Sequence, residues 1–321
     1  ARLITFGLVV TRGPRQARQN VAVYRQQLIG SNSLIMRWLP HRGGALDFAD
    51  WRREHPGQPF PVLVAIGADP ATTLAAVAPV PDTISEYEFA GLLRGERTRV
   101  WHSTHTGLDA PAGCEILIEG HIHPDDTAPE GPFGDHTGYY SLPDWYPKFH
   151  VTAITHKKNA VYPATIVGIP PQEDAWLGKA TERIFLAPIK MTMIPEIADM
   201  DMPVEGVFHN LVITKIKKEY AGQGQKVMNA MWGAGQMMFN KILVLADQHC
   251  TIQDYPALTP YIFKNLNPAT DIFFSTGPMD VLDHSCSKLG FGGKMCIDGT
   301  FKTEEEKDDL YIELPVTKDI A

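Results

Sequence analysis

Through the first half of the chain, apolar residues come in short runs or alternate with polar ones between Gly and Pro breaks. Residues 3–10, 34–39, 61–67, 115–122 and 149–155 share this texture, which predicts strands joined by turns. Two stretches differ. Asp69-Pro-Ala-Thr-Thr-Leu-Ala-Ala-Val and Ser85-Glu-Tyr-Glu-Phe-Ala-Gly-Leu-Leu each open on a capping residue and predict short helices. Residues 1–165 are therefore expected to form a β-rich barrel or sheet with helical inserts. Pro170-Pro171 reads as a linker, and beyond it strand and helix patterns alternate. Residues 211–216 predict a strand, and Val227, Met231, Ala234 and Met238 fall at 4-3-4 spacing on one helix face. Residues 241–247 read as a buried parallel strand ending in an acid, 255–265 as a helix and 271–275 as a strand. An α/β domain over 172–302 and a tail over 303–321 follow. The Met-rich face reads as core or subunit interface, because Met fills irregular apolar gaps.

With 321 residues the chain is long enough for about two domains. Its 44% hydrophobic and 21% charged content, with 27 Gly and 25 Pro, excludes disordered and collagenous classes. No apolar run approaches the roughly 18 to 20 residues that span a bilayer, and the opening residues read as a strand, not as a leader. Cys114, Cys250, Cys286 and Cys296 lie far apart with no Cys-x-x-Cys pair, so they are expected to be reduced thiols in a cytoplasmic protein.

The net charge of −8 is uneven: residues 1–100 carry 12 Arg against 8 acids, the remainder 17 bases against 29 acids. A net-positive section of this size suits a ligand with one or two phosphates, and equally an unevenly charged surface; a nucleic-acid groove would be more basic, with interleaved aromatics. In addition, 12 of 13 Arg precede position 100, whereas all 16 Lys and 10 of 11 Met lie from Lys148 and Met191 onward. This change suggests a coding sequence joined from two sources between residues 100 and 147.

The densest candidate chemistry lies in Thr127-Ala-Pro-Glu-Gly-Pro-Phe-Gly-Asp-His-Thr-Gly-Tyr-Tyr, where Glu130 and Asp135 sit five apart on a Gly/Pro loop. Such a pair supports general acid/base work, since repulsion and desolvation push the two carboxyls apart in acidity; an acidic turn capping nearby amides is the plainer alternative. In Asn20-Val-Ala-Val-Tyr-Arg25, a straight strand would send Asn20 and Arg25 to opposite faces unless it bends. Asn20, His41 and Glu86 together offer an oxygen, a nitrogen and a carboxylate, a donor mix suited to Mn²⁺ or Mg²⁺. His121-Ile-His123 puts two imidazoles on one strand face near a sheet edge, a structural pair.

The stretches Tyr-Arg-Gln-Gln-Leu-Ile-Gly, Met-Arg-Trp-Leu-Pro-His-Arg-Gly-Gly-Ala, Pro-Val-Pro-Asp-Thr-Ile-Ser-Glu and Pro-Glu-Gly-Pro-Phe-Gly-Asp-His-Thr-Gly-Tyr-Tyr resemble the UbiD family of reversible decarboxylases. The likeness runs from about residue 2 to residue 302, most closely to the branch acting on 4-hydroxy-3-polyprenylbenzoate in ubiquinone synthesis. It implies a split β-barrel like that of flavin reductases, followed by a C-terminal α/β dimerisation domain. It also implies prenylated FMN, a divalent metal (Mn²⁺, or Mg²⁺) and, in many members, K⁺. Asn20, His41 and Glu86 match the metal ligands; Arg25, Glu130 and Asp135 match the catalytic set. Cofactor contacts are implied at Asn20, Val23, Tyr24, Arg25, Pro40, His41, Ala78, Pro79, Glu86 and Lys294.

The implied partners are a small carboxylic acid substrate, a flavin prenyltransferase that supplies the cofactor, and further copies of the chain in a homodimer or larger assembly. A polyprenylated substrate leaves room for peripheral membrane contact, although no amphipathic anchor is evident. Family members usually carry a further N-terminal α/β domain, so a cofactor-binding or assembly module without turnover is the alternative reading. A metal-independent hydrolase using Glu130 and Asp135 leaves Arg25, Asn20, His41 and Glu86 without a role.

Overall fold

A computed structural model describes residues 1–81 and 83–307. Asp82 of the Pro-Val-Pro-Asp-Thr-Ile-Ser-Glu stretch, and residues 308–321 of the expected tail, lie outside the described residues. The chain divides into two compact units, Ala1–Thr181 and Glu182–Ala321.

The first unit is built on β1 (Arg2–Ile4), β2 (Gly7–Thr11), β3 (Asn20–Val23), β4 (Gln26–Leu28), β5 (Ser33–Met36), β6 (Phe60–Ile66), a small hairpin of β7 (Val100–His102) and β8 (Asp109–Pro111), and the long β9 (Ile116–Glu130) and β10 (Asp144–His156). Eight of these form one antiparallel sheet in the order β1-β4-β5-β10-β9-β6-β2-β3. Alternation explains the burial. Val62, Val64 and Ile66 of β6 face one core with Val9, Ile118, Ile122 and Phe149, while Leu63 and Ala65 face another with Leu8, Val10 and Leu117. Both faces are covered, so the central strands read as continuous apolar runs.

Helix α1 (Gly43–Glu54) brings Phe48 to the first core, and α2 (Pro70–Val77) brings Ala76 to the second. The expected helices are α2, capped by Asp69, and α3 (Glu86–Arg94), which opens on a capping box between Ser85 and Glu88. Helix α1 has no start signal: Arg42 occupies its N-cap without a side-chain bond, and two glycines follow.

Connectivity forces this sheet to curl. β3 is the last strand in the order and β4 the second, yet only Tyr24 and Arg25 separate them. The three Cα–Cα steps from Val23 to Gln26 reach at most about 11 Å, whereas the six strand spacings from β4 to β3 would come to about 29 Å in a flat sheet. The two ends of the sheet must therefore approach each other, and the chain bends sharply at Tyr24-Arg25 instead of continuing as the straight strand considered above.

Helix α4 (Glu173–Thr192) follows Pro170-Pro171 and contains the unit boundary. The second unit holds a mixed sheet of β11 (Ile197–Asp201), β12 (Leu211–Ile216), β13 (Ile242–Asp247), β14 (Ile272–Pro278) and β15 (Phe291–Asp298), in the order β11-β12-β13-β15-β14. β12, β13 and β15 run parallel, with antiparallel β11 and β14 at the edges. Helices α5 (Gln223–Trp232) and α6 (Tyr255–Asn265) accompany it. The expected long Met-bearing helix stops early: Gly233 ends α5 and Gly235 takes a positive φ, so Ala234 and Met238 fall outside it. Val227, Met228 and Met231 lie in the core of this unit. Cys250 and Cys296 are buried, Cys114 and Cys286 half-buried, and all four are free. Among the described residues no helix is long and apolar enough to cross a membrane.

Candidate active site

Arg25 occupies the bend between β3 and β4. Its side chain is only 9% exposed, and it meets both candidate carboxylates. Nε and Nη2 donate to the two oxygens of Glu130 at 2.8 and 3.2 Å, Nη1 donates to Asp135 Oδ2 at 3.2 Å, and Nη2 also donates to Ser141 Oγ at 3.2 Å. The guanidinium lies 3.9 Å from the centre of the Phe133 ring. This bidentate fork is a geometry that Lys does not offer.

Glu130 ends β9, opposite Asp144 of β10, and residues 131–143 form the tip of that hairpin. The tip closes on itself, because Ser141 N–H donates to Phe133 O at 2.8 Å and Asp135 N–H to Tyr139 O at 3.0 Å. Gly131 N–H donates to Gln27 Oε1 on β4, tying the tip to the bend. Gly131 has φ of +97°, which a side chain would strain.

Asp135 Oδ1 accepts from the backbone N–H and the Nδ1 of His136 at 2.9 and 2.8 Å. Burial pushes the Asp135 carboxyl upward, but the His136 hydrogen bonds and charge and the Arg25 guanidinium outweigh it and hold it below the ordinary range. Asp174, in the first turn of α4, lies 3.4 Å from the same Nδ1. Its own carboxyl is raised by burial. Arg37, whose backbone N–H donates to Arg25 O, has its basicity lowered by burial and by the Arg25 charge.

Two of the candidate metal ligands, Asn20 and Glu86, lie at β3. Asn20 opens that strand and donates through Nδ2 to Thr11 Oγ1 at 3.2 Å; Thr11 donates in turn to the buried Asp47. A Cβ on Gly43 would overlap Asn20 Oδ1, so a side chain there would push the amide aside. Tyr24 Oη accepts from Gly44 N–H at 3.1 Å, fixing the same helix start. Glu86, the first residue of α3, accepts from Val21 N–H at 3.2 Å and lies 3.8 Å from Arg18. His41 stands exposed in the turn before α1.

The oxygen, nitrogen and carboxylate donors of Asn20, His41 and Glu86 suit Mn²⁺ or Mg²⁺. Burial raises the Glu86 carboxyl despite Arg18, and with Asn20 it supplies oxygen donors of the kind such a cation takes. Val23, Ala78 and Pro79 are half-buried and Pro40 is exposed. Lys294 belongs to the second unit, where Nζ donates to the carbonyls of Met238 and Asn240 at 2.5 and 2.6 Å and burial lowers its pKa to about 8.

Residues 1–170 match the 3-octaprenyl-4-hydroxybenzoate carboxy-lyase Rift-related domain, and residues 175–299 the matching C-terminal domain. The chain belongs to the UbiD family. UbiD proteins are carboxy-lyases, and similar solved structures carry that activity in their names. Vanillic acid decarboxylase of Sedimentibacter hydroxybenzoicus in closed form is 27% identical, with a TM-score of 0.88 over 99% of this chain and 67% of that one. The UbiD-class enzyme HmfF of Pelotomaculum thermopropionicum in complex with FMN is 26% identical, with a TM-score of 0.85 over 98% and 69%. An evolved dimeric form of HmfF is in complex with prFMN, at 25% identity and a TM-score of 0.82 over 98% of this chain and 68% of that one. The chain spans about two thirds of the length of these relatives.

Sequence reading missed His136, Ser141, Phe133, Arg37 and Asp174. His136 and Ser141 flank motif residues, but nothing in the chain's linear order ties Asp174 to the tip. The His121-His123 pair is not at an edge. His121 is paired with Pro61 of β6 on one side and His150 of β10 on the other, and His150 adds a third ring.

Proposed function

We propose that this chain is the catalytic polypeptide of a reversible, non-oxidative decarboxylase that acts on an aromatic or α,β-unsaturated carboxylic acid with prenylated FMN. The buried Arg25 shared by Glu130 and Asp135 carries this reading. Bound prenylated FMN supplies an electron sink for the carbon that loses CO₂. Asn20, His41 and Glu86 hold Mn²⁺ or Mg²⁺, with K⁺ a further ion of the site, and Val23, Tyr24, Pro40, Ala78 and Pro79 line the flavin. The curled sheet serves as the flavin-binding split barrel. Lys294 is kept as a further cofactor contact: two of the three donors of its ammonium go to carbonyls, which leaves one for a phosphate oxygen.

The residues then divide the work. Arg25 has five N–H donors and shifts part of its fork to the incoming carboxylate. A third carboxylate beside one guanidinium favours uptake of a proton by the Glu130/Asp135 pair. That proton replaces CO₂ on the product carbon, so substrate carboxylate plus one proton balances as product plus CO₂. The near absence of solvent at Glu130, 1% exposed, keeps the proton in the site.

The substrate we favour is a 4-hydroxy-3-polyprenylbenzoate, because the hairpin tip follows that branch with Asp at 135. The same branch brings a separate flavin prenyltransferase as supplier, a homo-oligomer and a cytoplasmic location. The test is co-production with such a prenyltransferase, mass spectrometry of the released flavin, and CO₂ release from a panel of aromatic acids. The expected result is prenylated FMN with turnover in the wild type and retained flavin without turnover in Glu130→Gln. A Glu130→Gln protein that decarboxylates normally would overturn the assignment, and retained flavin with no turnover of any acid would favour a cofactor-binding module.

A further inference from the structure

Asp135 is held by more than Arg25. Its Oδ2 faces the guanidinium, while its Oδ1 takes two hydrogen bonds from His136, one from the backbone and one from the ring. A second carboxylate reaches the same ring nitrogen. His136 Nδ1 lies between Asp135 Oδ1 at 2.8 Å and Asp174 Oδ2 at 3.4 Å, and the residue is 8% exposed. Two elements distant in the chain thus meet on one imidazole: the hairpin tip and the first turn of α4.

We propose that His136, backed by Asp174, is the positioning residue for Asp135, fixing which carboxylate oxygen faces Arg25 and which is tied back. A protonated imidazole donates from both nitrogens, and a neutral one has a single N–H whose place its partner decides. Two carboxylates on Nδ1 keep the proton there, so the ring always presents a donor to Oδ1. A carboxylate with both oxygens occupied by donors is favoured in its charged form, and it cannot swing away from the reacting carbon. The charged groups around the trio are Arg25 and Arg37 from the sheet, Glu130 from β9, and Glu173 beside Asp174 on α4. The same three side chains place ligand atoms within 4.8 Å of one another. A cation there would have to share Asp135 with the Arg25 guanidinium 3.2 Å away, which favours a proton over a metal.

This inference rests on Asp135 acting as an acid/base group, and its test keeps the two claims apart. The first readout needs no flavin: the ¹³C carboxyl titration of Asp135 in unloaded protein, assigned by its disappearance in Asp135→Asn. In His136→Phe the midpoint moves to higher pH, and in His136→Gln, which restores a donor, it returns part of the way. In loaded enzyme the limb of the pH–kcat profile belonging to Asp135 moves in the same direction, kcat falls on the order of tenfold, KM changes little and flavin content is unchanged. Asp174→Asn falls between wild type and His136→Phe in kcat.

An Asp135 titration indifferent to His136, in protein that still decarboxylates, would overturn the proposal and leave the function standing. A shifted titration in protein that turns over no acid would support the positioning and sink the function. If His136→Phe loses flavin and raises KM with no movement of the pH limb, the ring is merely structural and the proposal fails. Stoichiometric Zn²⁺ binding that survives Asn20→Ala but not His136→Phe would make the trio a metal site, and would also overturn it.

Discussion

Arg25 is where sequence and structure differ most usefully. From spacing alone it is one arginine among twelve in the first hundred residues; in the fold it bonds to both Glu130 and Asp135. Removing it leaves two buried carboxylates facing each other, and loss of one member of a buried pair costs about 3 to 5 kcal/mol. Arg25→Ala should therefore lower the melting temperature as well as abolish turnover, and Arg25→Lys should recover stability in part while kcat/KM stays at least tenfold down. Equal melting temperatures for wild type and Arg25→Ala would contradict the geometry. Gly43 makes a second prediction at this scale. Because a Cβ would displace Asn20 Oδ1, Gly43→Ala should reduce bound Mn²⁺ and flavin, read by elemental analysis and absorbance, although it alters no candidate ligand. The identities of Asn20, Arg25, Glu130 and Asp135 were legible through family resemblance. Their convergence was not, because a bend of two residues has no pattern of its own.

Elements were legible where alternation or a cap announced them. β6 and β9 show apolar runs, and α2 and α3 begin at Asp69 and Ser85. Helix α1 was silent because its capping position is Arg42, and β15 because Gly292 and Gly293 interrupt its pattern. Register was silent as well: it puts His150 opposite His121, with ring centres 5.8 Å apart and His123 at 4.8 and 5.6 Å. Burial first, then the neighbouring His123 and His150, lower the basicity of His121. The unfolded chain then takes up this proton at higher pH than the folded one. Stability is complete above about 6.5, the ordinary imidazole value, and declines as the pH falls below it. His121→Gln should flatten that decline in melting temperature between pH 7.5 and 5; an unchanged slope would show that other groups set it. Gly120→Ala on the same strand should not fold to a soluble protein, since its Cβ would overlap the backbone carbonyl of His150.

At the scale of the whole molecule, each unit carries its own cores, and the family domains meet between residues 170 and 175, near the Pro170-Pro171 break. Large apolar side chains remain exposed in the second unit, notably Phe274 at 79% on edge strand β14 and Leu289 at 81%. Exposed apolar surface on an edge strand is commonly covered by another chain. Light scattering should find a homo-oligomer that Phe274→Asp shifts toward monomer, and a monomeric wild type would contradict this. The change from Arg-rich to Lys-rich sequence falls between residues 100 and 147. β9 lies inside that window, and β10 straddles its end while pairing along β9 as one continuous hairpin.

Because only Tyr24 and Arg25 join the two ends of the curled sheet, closing the sheet and delivering the guanidinium to its carboxylates are one event. A molecule whose sheet has not closed lacks the site altogether, so assembly and competence rise and fall together. Imperfect preparations should then contain fewer working molecules, each turning over at the full rate, and not many slow ones. Counting sites and timing them separately would tell a poorly assembled batch from a poor catalyst.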